Sequence, residues 1–227
     1  IDFEETFAPV ARLESIRMFL ALAVYKGFRI HQMDIKSAFL NGHLDEEVFI
    51  EQPDGFFLSD DPNVVCRLKK ALYGLKQAPR AWYSRLDTYL HQVGFRRGLV
   101  DSNLYILSEE LKQLFVMVYV DDIIFGGDSE EMCEKFATVM KQEFEMSMLG
   151  ELSFFLGLQV HQNKGGIFLS QQKYAGEMLK KFQMEDCKPV GTPMVTGCKL
   201  SKEEKSPKVD QTLYRSMIGS LLYLTAS

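Results

Sequence analysis

A chain of 227 residues, 46% hydrophobic and 25% charged, has material for a sizeable core and reads as one large domain or a core domain with an appendage. No run approaches the roughly 18 uncharged apolar residues of a membrane helix, and the first residues resemble neither signal nor transit peptide, which points to a soluble, intracellular protein. A net charge of −5 counts against a broadly basic nucleic-acid binder, although Arg67, Lys69, Lys70, Lys76 and Arg80, then Arg96 and Arg97, then Lys173, Lys180 and Lys181 gather in groups that suit either a positive groove or solvated surface.

In chain order, residues 15–26 are apolar on nearly all faces and stop at Gly27, a pattern that predicts a buried helix. Residues 28–35 predict a strand that carries Asp34 near its end. Pro79 is placed to open a helix whose apolar positions are Trp82, Leu86, Tyr89, Leu90 and Val93, with Gly94 closing it. Residues 114–120 and 123–125 form two apolar, β-branched runs interrupted only by Asp121 and Asp122, which predicts a hairpin with a carboxylate pair at its tip. A helix follows Ser129, with Asp128 and Glu131 suited to a capping box and Met132, Phe136, Val139 and Met140 on its buried face.

Residues 154–160 and 166–169 suggest a further strand pair, followed by a helix with Tyr174, Met178, Leu179 and Phe182 on one face. Residues 184–211, with Pro189, Pro193, Pro207, Gly191 and Gly197, read as a long loop before a last helical pattern of Tyr214, Met217, Ile218, Leu221 and Leu222. The mixture predicts an α+β fold. Beginning at Ile1 and stopping directly after that last apolar pattern, the chain reads as a fragment.

The four cysteines and four histidines are scattered without metal-ligand spacing, so neither a zinc cluster nor a disulfide framework is expected. The aspartates carry more information. Asp121 and Asp122 sit between hydrophobic strands, where an ionised carboxylate is costly unless it is solvated or holds a cation. An isolated Asp-Asp is usually a surface turn. Asp34, between Met33 and Ile35, sets a third carboxylate at a strand end; alone it could cap the segment starting at Ser37, but side by side with the hairpin it would complete an oxygen-rich site suited to magnesium or manganese. Such a site suits phosphoryl transfer.

The segments Glu5–Arg12, His31–Gly42, Leu72–Trp82, Tyr119–Asp122, Phe155–Gly157 and Leu169–Gln171 together resemble the reverse transcriptases of copia-type retrotransposons almost from end to end. The run Tyr73-Gly74-Leu75-Lys76-Gln77-Ala78-Pro79 sets that group apart from retroviral and gypsy-type enzymes. The resemblance implies an RNA-directed DNA polymerase with a right-hand palm, an antiparallel sheet with helices on one face. It divides the chain into palm at 1–41, partial fingers at 42–77, palm again at 78–163 and the start of a helical thumb at 164–227.

It also implies two Mg2+ ions, or Mn2+, held by Asp34, Asp121, Asp122 and the carbonyl of Ile35. Phe39 becomes the residue that excludes a 2′-hydroxyl, with core packing as its plain rival. Tyr73, Gly74 and Lys76 border the incoming nucleotide, and Tyr119, Phe155, Leu156, Gly157 and Lys173 lie along primer and template. The implied partners are an RNA or DNA template with its primer, deoxynucleoside triphosphates, and the remaining fingers and ribonuclease H segments of the same polyprotein, working in cytoplasmic virus-like particles without a membrane.

Where many relatives read Met-Lys-Asp-Leu-Gly this chain has Met146-Ser147-Met148-Leu149-Gly150, which leaves the proton donor to pyrophosphate unassigned. The expectation for the chain by itself is weak or no polymerase activity. The alternative is a catalytically silent remnant that folds or binds nucleic acid without polymerising.

Overall fold

The computed structural model describes residues 7–57, 59, 61, 63–194, 196–198 and 208–226. The chain divides into two compact units, Ile1–Leu152 with Gln162–Ile167, and Ser153–His161 with Phe168–Ser227. Among the described residues no helix is long and apolar enough to cross a membrane. The fold is α+β with antiparallel pairing, as expected.

The first unit is built on a six-stranded sheet of β1 (His31–Ile35), β4 (Arg96–Arg97), β5 (Leu104–Glu109), β6 (Lys112–Tyr119), β7 (Asp122–Gly127) and β8 (Met146–Glu151), in the order β4-β5-β6-β7-β1-β8. A small hairpin of β2 (Phe49–Glu51) and β3 (Val65–Arg67) stands apart from it. Side chains alternate across strands. Met33, Ile35, Leu114, Val116, Val118, Ile123 and Phe125 therefore face one way and are buried against α2 (Ala78–Gln92) and α3 (Glu130–Glu143). Trp82, Leu86 and Leu90 of α2 and Met132, Phe136 and Met140 of α3 complete that core. Each such side chain contributes about 1.5–3 kcal/mol on burial.

Helix α1 (Leu13–Lys26) corrects two expectations. Its buried positions Ile16, Phe19, Leu20 and Ala23 form one stripe, whereas Met18 and Tyr25 are 73% and 88% exposed, so the helix is amphipathic rather than buried all round. Nor do all helices share one sheet face, because Phe19 and Phe28 pack on Phe115, which points away from the side holding α2 and α3. Gly27 ends α1 in the left-handed region (φ 76°), as the glycine stop predicts.

Other boundaries moved for local reasons. Residues 28–30 stay outside β1, which starts at His31. The expected capping box is not formed: Ser129 is the N-cap without a side-chain bond, while the Asp128 carboxylate accepts from Lys26 Nζ at 3.0 Å and from the Gln113 amide at 3.0 Å. Val139 is only half-buried, and Cys133 takes the inward position instead. Strand β8 went unpredicted because Met146–Glu151 shows no alternation; it carries an irregularity opposite Gln32 and Met33, where Leu149 is the extra residue and Gly150 has φ 87°.

In the second unit, residues 154–160 are not one strand. They fold into β9 (Phe154–Phe155) and the start of β10 (Leu158–Asn163), joined by Leu156 and Gly157 with φ of 47° and 78°, the two positive angles of a type I′ turn. Strand β11 (Gly166–Ser170) follows, then α4 (Gln172–Lys181) and α5 (Gln211–Ala226). Neither helix has a fully buried residue, but Tyr174, Met178 and Phe182 of the expected α4 face are half-buried, whereas Leu179 is exposed; the helices meet through Tyr174 and Tyr223, whose rings are 4.6 Å apart. The expected loop at 184–211 has no regular structure at its described positions before Gln211, and residues 195 and 199–207 lie outside the described residues.

Candidate active site

Strands β1 and β7 run antiparallel with Asp34 directly opposite Asp122. The Ile35 amide donates to the Asp121 carbonyl at 3.0 Å, which makes Asp34 and Asp122 a non-hydrogen-bonded pair. In such a pair the Cα atoms approach to about 4.5 Å and the side chains share a face. Asp121 occupies the two-residue turn between β6 and β7, so residues 87 positions apart in sequence bring three carboxylates to one end of the sheet. Asp34 and Asp122 are half-buried and Asp121 is exposed.

The turn is held in a costly conformation. Val120 has φ 56°, the left-handed region that a β-branched residue rarely enters. Its carbonyl accepts a 2.6 Å hydrogen bond from Nε1 of Trp82, a side chain 2% exposed in α2. Nearby, Ser37, two residues beyond β1, is also left-handed at φ 50°, and starts the short 3-10 turn Ala38–Asn41 that carries Phe39. Backbone strain of this kind persists only where the surrounding structure enforces it.

Burial pushes the Asp122 pKa upward; a hydrogen bond from Gln32 opposes the rise, and the charges of Asp121 and Asp34 add to it. Gln32 Nε2 lies 2.9 Å from Asp122 Oδ1. An all-oxygen set whose members repel one another fits a hard divalent cation, which supplies the missing opposite charge. Among the described residues, the three side chains whose donor atoms all come within 4.8 Å of one another are instead His31, Glu130 and Cys133, which spacing in the sequence did not reveal. In that group burial raises the Cys133 thiol to about 11, so without a cation it is held as the neutral thiol.

Beside the aspartates opens a cavity of about 430 Å3 whose lining includes Ser37, Phe39, Leu72, Tyr73, Val120 and Asp121. The rings of Phe39 and Tyr73 are 5.9 Å apart and tilted by 39°, and Tyr73 is 89% exposed. Phe39 is half-buried and does both things expected of it, packing against the edge of the main core and lining the cavity. Gly74 follows with φ 96°, and a Cβ there would meet nothing within 4 Å, so the glycine serves conformation and leaves open space beside the chain.

Comparison with known proteins decides the family. Residues 1–196 match the profile of the reverse transcriptase (RNA-dependent DNA polymerase) family. This chain belongs to the reverse transcriptase family. It is 42% identical over 99% of its length to the retrovirus-related Pol polyprotein from transposon RE2 of Arabidopsis thaliana, covering 15% of that protein. It is 36% identical over 98% of its length to the corresponding polyprotein from transposon TNT 1-94 of Nicotiana tabacum, covering 18% of it. A putative transposon Ty5-1 protein of Saccharomyces cerevisiae is 32% identical over 84% of the chain. The resemblance to copia-type polyproteins is borne out, and the chain spans about a sixth of the plant polyproteins it matches.

Within this reverse transcriptase chain the remaining expected site residues separate into two groups. Ile35, Tyr119 and Lys76 lie in the first unit: Ile35 is buried beside Asp34, Tyr119 pairs with Asp122 at the end of β6, and Lys76 is exposed on the segment leading into α2. Phe155, Leu156, Gly157 and Lys173 belong to the second unit. There Tyr223 donates a hydrogen bond to the Leu156 carbonyl, the Lys173 amide donates to Gln159 Oε1 at 2.8 Å, and its ammonium stands 5.0 Å from the Phe154 ring. Gln32 and Trp82 touch the aspartate-bearing segments, yet the sequence marks Gln32 only as part of a longer motif and Trp82 only as an apolar helix position. A glutamine two residues before Asp34, and so on the same face of a predicted strand, was the available signal for the first; nothing in a residue pattern reports an indole bonded to a main-chain carbonyl.

Proposed function

We propose that the chain is the catalytic part of an RNA-directed DNA polymerase, in which the 3′-hydroxyl of a primer attacks the α-phosphate of a deoxynucleoside triphosphate and pyrophosphate leaves. The reading rests on one observation above the rest: Asp34 faces Asp122, with Asp121 in the adjoining turn, beside a cavity lined by Phe39 and Tyr73. Family membership supports it. Residues 1–41 and 78–163 then act as palm, 42–77 as part of the fingers and 164–227 as the start of the thumb.

Asp34, Asp121, Asp122 and the Ile35 carbonyl are the groups that would hold two Mg2+ ions, which when bound make the attacking hydroxyl more acidic and stabilise charge on the departing phosphate oxygens. The protein's own share is placement. The strand pair fixes Asp34 against Asp122, and the anchored turn presents Asp121. Phe39 forms a wall against a 2′-hydroxyl, Tyr73 and the open backbone at Gly74 receive the nucleotide, and Lys76 adds positive charge for the triphosphate. Tyr119, Phe155, Leu156, Gly157 and Lys173 guide the primer and template. In the relatives this segment is part of a Pol polyprotein, and work in a cytoplasmic virus-like particle belongs to the same proposal.

The test is primer extension on an RNA template with Mg2+, using the 227-residue chain and a longer polyprotein segment containing it, each with and without Asp121→Asn. Extension by the longer wild type that Asp121→Asn abolishes is the expected result. A folded, template-binding longer segment that adds no nucleotide would sink the proposal.

A further inference from the structure

Gln32 is a polar residue on β1, a strand paired on both sides within the six-stranded sheet, and is only 9% exposed. Its directly opposed partner on β7 is Ile124, fully buried, and a branched apolar side chain would suit that neighbour better than an amide. The amide reaches diagonally instead, two residues along β7, and donates from Nε2 to Asp122 Oδ1 at 2.9 Å. Diagonal neighbours on an antiparallel pair lie about 7–8 Å apart, within reach of a long side chain, and asparagine is one methylene shorter. Gln32 and Asp34 share a face of β1, so the amide approaches Asp122 along the face that carries the opposing carboxylate.

We propose that Gln32 is a positioning residue for the cation site: it ties down Oδ1 of Asp122 and thereby turns Oδ2 toward the ion shared with Asp34. The inference rests on the metal-binding reading of the aspartates given above. The physical reason is that a carboxylate pinned at one oxygen loses its freedom to rotate away from an equally charged neighbour, so less ordering remains to be done when the cation arrives. The break in β8 pairing opposite Gln32 fits this placement, since a bulge beside a site re-aims the local side chains.

The test measures Mn2+ binding to the 227-residue chain by loss of the free-ion paramagnetic resonance signal, for wild type, Gln32→Leu, Gln32→Met and Asp34→Asn, with thermal unfolding in the absence of metal as a second readout. Leucine and methionine keep the bulk of glutamine but cannot donate. Both variants should bind Mn2+ about 10–100-fold more weakly than wild type while still unfolding in a single cooperative transition without metal. If both bind Mn2+ as wild type does, Gln32 has no positioning role. If wild type binds no better than Asp34→Asn, the metal reading itself falls and the inference with it, an outcome that the Asp34→Asn arm tells apart from the first. Should Gln32→Leu fail to fold, Gln32→Met carries the comparison.

Discussion

Trp82→Phe isolates the link between α2 and the turn that presents Asp121. The substitution removes the indole N–H that donates to the Val120 carbonyl at 2.6 Å and leaves a gap in a site 2% exposed. A carbonyl left without its partner costs about 1–3 kcal/mol, and the lower end applies here because Val120 is 37% exposed and water can reach it in part. Replacing indole by phenyl opens roughly 40 Å3, which at about 24 cal/mol per Å3 adds around 1 kcal/mol. The edge-to-face contact of Trp82 with Phe144, at 5.3 Å and 84°, is partly retained by a phenyl ring. The sum, about 2–3 kcal/mol, corresponds to a fall of roughly 4–12 °C in the unfolding temperature of a chain of this size.

Stability alone would not show that the turn is the part affected, so the assay pairs thermal unfolding with amide hydrogen exchange. The informative amide is Ile35, which is bonded to the Asp121 carbonyl at 3.0 Å. Leu86→Ala, also in α2 and 1% exposed, serves as a control that weakens the same core without touching the turn. Trp82→Phe should lower protection of the Ile35 amide by more than its loss of global stability accounts for, whereas Leu86→Ala should lower both in step. Equal behaviour of the two variants at matched stability would refute the anchoring argument.

Two further outcomes follow from the same geometry. Because the folded-state pKa of Asp122 is raised above its ordinary value of 3.8, its ionised form opposes folding: the penalty is absent below about the ordinary value and complete above the folded value. In metal-free buffer Asp122→Asn should therefore unfold at a higher temperature than wild type near neutral pH, with the gap closing as pH falls through that window; a gap that widens on acidification would contradict the assignment. Gly42→Ala should destabilise by about 1–3 kcal/mol in a urea titration, because its Cβ would stand 2.7 Å from the Trp82 backbone nitrogen in the first turns of α2, and a neutral result would refute the role of that close approach.

What the sequence made legible was whatever depended on side-chain periodicity. Helices α2 and α3, the β6–β7 hairpin and the carboxylates at its end are read from apolar spacing and from charges in apolar surroundings. Asp34 was legible for the same reason. Features set by the main chain were not. The turn at Leu156 and Gly157 lacks the Asn-Gly or Asp-Gly pair that usually announces its type, so one strand was expected where two are found. Strand β8 is recognised by its partner β1 rather than by its own residues. Helix α1 looks apolar throughout because Met18 and Tyr25 are exposed, and sequence alone does not say which apolar side chains are left uncovered.

The arrangement of hydrogen bonds around the aspartates explains why these main-chain features matter for the site. Three like charges at one sheet end favour separation, and each segment that carries them is restrained by a different neighbour. Ile35 of β1 holds the Asp121 carbonyl, Trp82 of α2 holds the Val120 carbonyl, and Gln32 holds a carboxylate oxygen of Asp122. Two of these three bonds end on carbonyls, so they restrain the path of the chain and leave the side chain of Asp121 unencumbered. The third acts on a carboxylate directly, and it acts on Asp122, the member for which burial and charge together oppose ionisation. A site organised this way keeps its charges near one another, which is what the proposed metal role asks of the protein.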